Sequence, residues 1–346
     1  NTPVQNQEFL TGGDISLLTK IEQAGGVYRD DGQPRDLLDI FKARGCNLMR
    51  LRLWVQPSGQ KDQVCDLAYT LALAQRIKRA GFKLLLDFHY SDTWADPAHQ
   101  TKPAAWRDLP FDALRQQVYD YSRDTIAAFK AADALPDMVQ VGNEVQGGML
   151  WPDGKSHGSD GAFERFATLV KAGIEGVQAG AGGVPVPIVM HTERGGDPGG
   201  TQWFVENLIQ HGVAFDVIGL SYYPVWHGPL SKLQANLKSA ATRFHKPIIV
   251  VEAGYPWKGG NLNDKKAPMA YPATPDGQRQ FLTDVIEAVR QTPEGLGRGV
   301  LWWAPEWIPT KEMGGGWSPR TLFDDDGNAL PALDALGQIG QLPEQK

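Results

Sequence analysis

Eight short apolar runs, each followed by a longer segment of helical period, constrain this 346-residue chain more than any other feature. The strand candidates are 9–16, 47–54, 83–89, 138–144, 187–192, 217–223, 247–252 and 299–304. They are rich in Val, Ile and Leu without clean alternation, as strands covered on both faces are. The helix candidates between and after them are 35–44, 64–80, 110–132, 160–179, 201–211, 230–244, 276–291 and 330–339. Within 66–74 the apolar residues fall at i, i+3, i+4 and i+7, the stripe of a packing helix. Gly45, Gly81 and Gly212 each follow a helix candidate, where a left-handed cap residue belongs. Strict alternation predicts a parallel sheet, and eight repeats close a barrel. The expected fold is therefore α/β, a single (β/α)8 TIM barrel over residues 1–346 with extended loops on its C-terminal face. A doubly wound open sheet would need a Gly-rich phosphate turn, and Gly12-Gly13-Asp14 does not supply G-x-G-x-x-G.

Charge narrows the partners. Lys and Arg number 34 against 40 Asp and Glu, a net charge of −6, which argues against nucleic acid and anionic membrane. No run of about 18 apolar residues exists, so no membrane span is expected. The first seven residues carry no Met, basic region or apolar stretch and read as a processed chain, so a secreted or periplasmic location is expected. Nothing points to an obligate partner, and a monomer is expected. Cys46 and Cys65 would sit at opposite ends of the second strand and its loop, too far apart for a disulfide's Cα separation of at most about 7 Å. Two free, buried thiols are expected.

In a barrel of this kind chemistry sits at the C-terminal ends of the strands. Two carboxylates end apolar runs there, Glu144 after the fourth and Glu252 after the seventh. A lone buried Glu is costly, so each needs a partner or a purpose. Two carboxylates across a barrel mouth can divide acid and nucleophile roles, as glycoside hydrolysis requires. The bland alternative is a pair of salt-bridged strand-end residues. A metal centre from His89, Asp92, His191 and Glu193 is the other alternative, but the first strand lacks the His-x-His that such barrels usually carry. No metal is expected. Asp87 shares a face with His89 by alternation and reads as a buried structural carboxylate below the site. Asp324-Asp325-Asp326-Gly327-Asn328 lacks the further oxygens of a calcium loop and reads as a solvated turn.

The chain resembles the endo-β-1,4-galactanases of glycoside hydrolase family 53, within the large clan of retaining (β/α)8 hydrolases. Asn143-Glu144 and Glu252 carry the clan pattern. Asp87-Phe88-His89-Tyr90-Ser91-Asp92-Thr93-Trp94-Ala95-Asp96-Pro97 carries the family pattern, with Leu51-Arg52-Leu53-Trp54, Gly219-Leu220-Ser221-Tyr222-Tyr223-Pro224 and Trp302-Trp303-Ala304-Pro305-Glu306-Trp307. The resemblance implies that Glu144 is the acid/base and Glu252 the nucleophile. It implies that Asn143 bonds the sugar's 2-hydroxyl, that Arg52 and Tyr223 flank the nucleophile, that His89 and His191 line the mouth, and that Trp302 floors the subsite. Some bacterial members hold calcium in the loop after the seventh strand. Here Asn261, Asn263 and Asp264 do not match that ligand spacing, so no cofactor is expected and structural calcium is not supported.

Eight of the 11 Trp, including Trp54, Trp94, Trp226, Trp302, Trp303 and Trp307, fall at or just after strand C-termini, with Trp106, Trp203 and Trp317 elsewhere. Broad rigid faces with a polar edge suit a groove that stacks sugar rings. Trp54, Asp92, Trp94 and Trp226 are accordingly expected to contact a polysaccharide. The expected activity is retaining, endo-acting cleavage of β-1,4-galactan, the side chain of type I arabinogalactan in pectin. A mannanase or cellulase of the same clan, or a non-catalytic sugar-binding barrel, is the alternative.

Overall fold

Each apolar run becomes a strand of one closed parallel barrel. The computed structural model describes residues 8–259 and 270–337. The strands are β1 (Leu10–Asp14), β2 (Leu48–Leu53), β3 (Lys83–Phe88), β4 (Met138–Val141), β5 (Ile188–Thr192), β6 (Val217–Tyr222), β7 (Ile248–Ala253) and β8 (Gly297–Trp303). They hydrogen-bond in chain order, and β8 pairs with β1 to close the ring. The outer helices are α1 (Leu37–Ala43), α2 (Leu67–Arg79), α3 (Phe111–Ala131), α4 (Ala162–Ala181), α5 (Pro198–Gln210), α6 (Leu230–Phe244), α7 (Pro275–Arg290) and α8 (Ala332–Gly337). Side-chain oxygens of Asp36, Asp66, Asp197 and Thr274 accept amide hydrogens at the starts of α1, α2, α5 and α7, satisfying orphan N–H groups there. Gly45, Gly81 and Gly212 take the expected left-handed conformation.

The periodic signal did not reach the shorter elements. A helix at Leu18–Gln23, another at Pro224–His227, and two-stranded ribbons at Arg29–Asp30 with Gln33–Pro34 and Gly148–Met149 with Gly154–Lys155 are each under two helical turns or two residues a strand. That is too short for a period to show.

The inside of the barrel is layered. Leu48, Leu85, Met138, Val189, Val217, Ile249, Val251 and Leu301 form an apolar plug at its base, with Leu10 against it. Two residues further along β2, β3 and β4, and four beyond Leu10 on β1, the inward positions are Arg50, Asp87, Gln140 and Asp14, all buried. Alternation gives each strand one inward set, and on these four strands that set passes from apolar to polar above the plug. The apolar residues of outward parity join the main core beneath the helix layer.

Cys46 and Cys65 are free and buried. Asp324 accepts from the backbone amides of Asp326 and Asn328 and from the Asn328 side chain, forming the expected turn, while Asp325 pairs with Lys258. No helix among the described residues is long and apolar enough to cross a membrane. Asn261, Asn263 and Asp264 lie outside the described residues.

Candidate active site

Two irregularities in the sheet aim the two carboxylates. In β7, Ile249 and Val251 face the axis, so plain alternation would turn Glu252 outward. The β6–β7 pairing slips between Leu220–Val250 and Ser221–Glu252, giving β7 one extra residue. Such a bulge re-aims the side chains that follow it. Glu252 accordingly turns back to the axis, 5% exposed, above the ionic layer. At β4 the strand stops at Val141, and Gly142 and Glu144 both take positive φ, 85° and 49°. Left-handed backbone is cheap for Gly142 and uncommon for Glu144. The bend lifts the Glu144 carboxylate into the mouth. One oxygen of each carboxylate and a ring nitrogen of His191 all lie within 4.8 Å of one another.

The two acids are held differently. The Arg50 guanidinium lies 3.1 Å from Glu252 Oε1, and Tyr223 Oη donates to Glu252 Oε2 at 2.9 Å. Arg50 also reaches Asp14 at 2.9 Å, Asp87 at 2.8 Å and Asn143 Oδ1 at 2.8 Å. Glu144 instead accepts one hydrogen bond, from Ser221 Oγ at 2.8 Å. Ser221 Oγ is 2.8 Å from His191 Nε2, and His191 Nδ1 accepts the Glu144 backbone N–H at 3.2 Å. A backbone N–H can only donate, which leaves the His191 proton on Nε2 and makes Ser221 the donor to Glu144. Gln140 Nε2 completes the layer, donating to Asp87 at 2.7 Å and lying 2.9 Å from His191 Nδ1.

These partners separate the acidities. Burial raises both carboxyls; at Glu252 the Arg50 charge and the Tyr223 hydrogen bond oppose it. At Glu144 the Glu252 charge adds to burial, and only the Ser221 hydrogen bond and the more distant Arg50 charge oppose it. Glu144 therefore keeps the proton while Glu252 ionises first. Burial and the Arg50 charge hold the His191 imidazole well below its usual range, so it stays neutral. Both His191 ring nitrogens are committed to hydrogen bonds, which fix its tautomer and hold Ser221 and the Glu144 backbone in place.

Several sequence expectations are corrected by these positions. Arg50, not Arg52, flanks Glu252. Both face inward, but alternation gives a face and not a height, and Arg50 is the one at the level of Asp14, Asp87 and Glu252. Arg52 turns instead to Asp14 Oδ1 at 3.2 Å and beneath the Trp94 ring at 4.4 Å. Trp302 is 0% exposed; it has the outward parity and packs on Phe281 of α7. Trp303, one residue on, follows inward Leu301 and faces the mouth. Trp54 is also 0% exposed and donates its indole N–H to His89 Nδ1 at 3.1 Å. His89, 3% exposed, braces Trp54 against Asp87 from beneath the mouth. Asp92 spends both oxygens on backbone amides, those of Gln56 and Ala104, and so ties two loops together.

The other expected residues converge. Asn143 stands beside Glu144, its Nδ2 donating to Ala95 O at 2.7 Å. Asp87 is the buried strut that alternation implied. Trp94 stacks on Trp307 at 6.3 Å, with Trp303 at 5.8 Å, and Trp317 joins the same wall at 4.6 Å from Trp303. Across the mouth Trp226 is 63% exposed and packs edge-on to Tyr223. It borders a pocket of about 690 Å³ shared with Arg194, Asp197 and Lys232. Asp14, Gln140 and Ser221 carry the network and were not singled out from sequence. Their signal was available as inward parity at a strand end or one position from it.

The model of Glycosyl hydrolase family 53 matches residues 10–336. The chain is 44% identical over 96% of its length to a Niallia circulans protein named "Uncharacterized protein in bgaB 5'region", covering 94% of that protein. It is 36% identical over 96% of its length to the "Arabinogalactan endo-beta-1,4-galactanase" of Cellvibrio japonicus, covering 92% of it. The solved Ignisphaera aggregans GH53 catalytic domain superposes with a TM-score of 0.87 at 34% identity, over 97% of this chain and 98% of that one. Fold, strand-end acids and matched span agree: the chain belongs to glycosyl hydrolase family 53.

Proposed function

We propose that this protein is a retaining, endo-acting β-1,4-galactanase that cleaves the galactan of type I arabinogalactan. The observation that carries this reading is the unequal treatment of two carboxylates in one barrel mouth, one oxygen of each lying within 4.8 Å of the other. Retaining glycosidases place the carboxyl groups about 5–5.5 Å apart, and inverting ones leave room for a water at about 6.5–9.5 Å. The name of the Cellvibrio japonicus relative supports galactan as substrate.

In the first step Glu252 attacks the anomeric carbon and the glycosidic bond breaks. Glu144 gives its proton to the departing oxygen. In the second step water attacks the glycosyl–Glu252 ester while Glu144, now ionised, takes the water's proton. Arg50 and Tyr223 keep Glu252 ionised and oriented, and Ser221 fixes the Glu144 oxygen that does not carry the proton. Enzyme, substrate and water balance both steps, so the reaction calls for no cofactor. Trp94, Trp303 and Trp307 on one side and Trp226 on the other bound a cleft for several sugar rings, which suits internal cleavage by a monomer. A polymer substrate fits action outside the cytoplasm, in a secreted or periplasmic setting.

A reducing-sugar assay on galactan, mannan, cellulose and xylan tests the assignment. Release from galactan, with a rapid early fall in viscosity, is expected. Strong release from mannan or cellulose with none from galactan overturns it in favour of another β-1,4 specificity.

A further inference from the structure

Arg52 is left without a role once Arg50 is the nucleophile's partner. It is 1% exposed and fully inside the protein. Its Nη1 meets Asp14 Oδ1 at 3.2 Å, but Nε and Nη2 are buried without a hydrogen-bond acceptor. An orphaned buried donor costs about 1–3 kcal/mol. What surrounds the cation instead is aromatic: its central carbon lies 4.4 Å from the Trp94 ring, 5.6 Å from Trp303 and 5.7 Å from Trp54. The Cys65 thiol, itself buried, is a further neighbour. A guanidinium suits this place because its flat faces stack on indoles and it is weakly hydrated.

Asp14 links the cage to the chemistry. One oxygen serves Arg52 and Ser16, and the other accepts from Arg50 Nη1 at 2.9 Å. Arg50 Nη2 then lies 2.8 Å from Asp87 and 3.1 Å from Glu252. With Arg52 meeting half of Asp14's demand, Arg50 is free to share its other nitrogen with Glu252.

We propose that Arg52 is a positioning residue that fixes Trp94 and Trp303 at the mouth and, through Asp14, sets the Arg50 guanidinium against the nucleophile. The proposal rests on the glycosidase reading above. It assigns one buried cation two jobs: sizing the stacking wall, and holding the charge balance beneath Glu252.

The two jobs separate in two variants. Glu252 is faced by Arg50, Asp14, Asp87, Glu144, His191 and Tyr223; none of these changes in either variant. Arg52→Met removes both charge and stack. Its KM for galactan is expected to rise about 5–10-fold, a part of the roughly 30-fold that full loss of a desolvated cation–π contact corresponds to. Asp14 then presses its uncompensated charge on the site, which disfavours ionised Glu252, so the acid limb of kcat/KM moves to higher pH. Arg52→Lys restores the charge without the flat stack: the acid limb returns toward wild type while KM stays raised. Near-UV circular dichroism reports the indole cluster without any substrate, and its bands are expected to change in both variants. A folded Arg52→Met protein with wild-type KM, acid limb and near-UV bands overturns the proposal. So does a Lys variant that rescues neither or both kinetic effects. Should the wild type release nothing from galactan, the substrate assignment fails, while the near-UV bands and the same split on the polysaccharide it does cleave still decide the role of Arg52.

Discussion

The two sides of the barrel mouth are built on opposite plans. Glu252 sits at the top of a rigid ionic ladder, with two charged or hydroxyl donors on its own oxygens and Asp14, Asp87 and Gln140 beneath. Glu144 stands on a left-handed bend, half-buried, with a single side-chain hydrogen bond. A nucleophile must stay charged and point at one carbon. An acid that later serves as a base must lose and regain a proton, and a crowd of donors would pin it in its ionised form. The difference between the two sides is a difference in how firmly charge is held.

The largest effects should come from removing the acids themselves, and they should differ by substrate. Glu252→Gln is expected to lose roughly 10⁴-fold or more in kcat on galactan and on aryl galactobiosides alike, since no ester can form. Glu144→Gln is expected to lose a similar factor on galactan but far less on a nitrophenyl glycoside, whose leaving group needs no proton. Equal losses by both variants on both substrates break the division of roles.

Arg50→Met comes next, because it strips the rigid side of its centre. Breaking a buried ion network by removing one partner costs about 3–5 kcal/mol of stability. The melting temperature is expected to fall accordingly, and kcat by a hundredfold or so in whatever fraction folds. A variant that melts early yet turns over normally would reduce Arg50 to a structural part.

Ser221→Ala is the smallest and sharpens the looser side. Ser221 donates to the ionised form of Glu144 and so lowers its pKa; deleting it raises that pKa. The alkaline limb of kcat/KM requires protonated Glu144, so it is expected to move to higher pH, with kcat reduced about tenfold or less. A limb that moves to lower pH contradicts the Nε2 tautomer of His191 and the direction of the Ser221 bond.

The barrel was legible because its strands are predominantly apolar and most of its helices long, and both signals survive without tertiary information. The two acids were legible because a carboxylate at the end of an apolar run is hard to explain otherwise. Height within the barrel was not. Arg50 and Arg52 share a face, as do positions two apart on every strand, and only the stagger of neighbouring strands decides which one meets Glu252. Trp302 and Trp303 differ by parity, and parity could be counted only after Leu301 was known to point inward. Glu252 itself violates its strand's parity, so a count from Ile249 would have turned it away from the axis.

The apolar plug at the base of the barrel has a temporal meaning. With Leu48, Leu85, Val189, Ile249 and Leu301 closing the bottom, the ester proposed on Glu252 would be reached only through the mouth. That is the same door by which the released sugar departs. The hydrolytic water therefore cannot arrive from behind: it enters beside Glu144 after the leaving chain has stepped aside. Any other hydroxyl, including that of a second sugar, must queue at the same place. A dead-end barrel thus imposes an order on events, departure before arrival, and makes sugar transfer and hydrolysis rivals for one position in space.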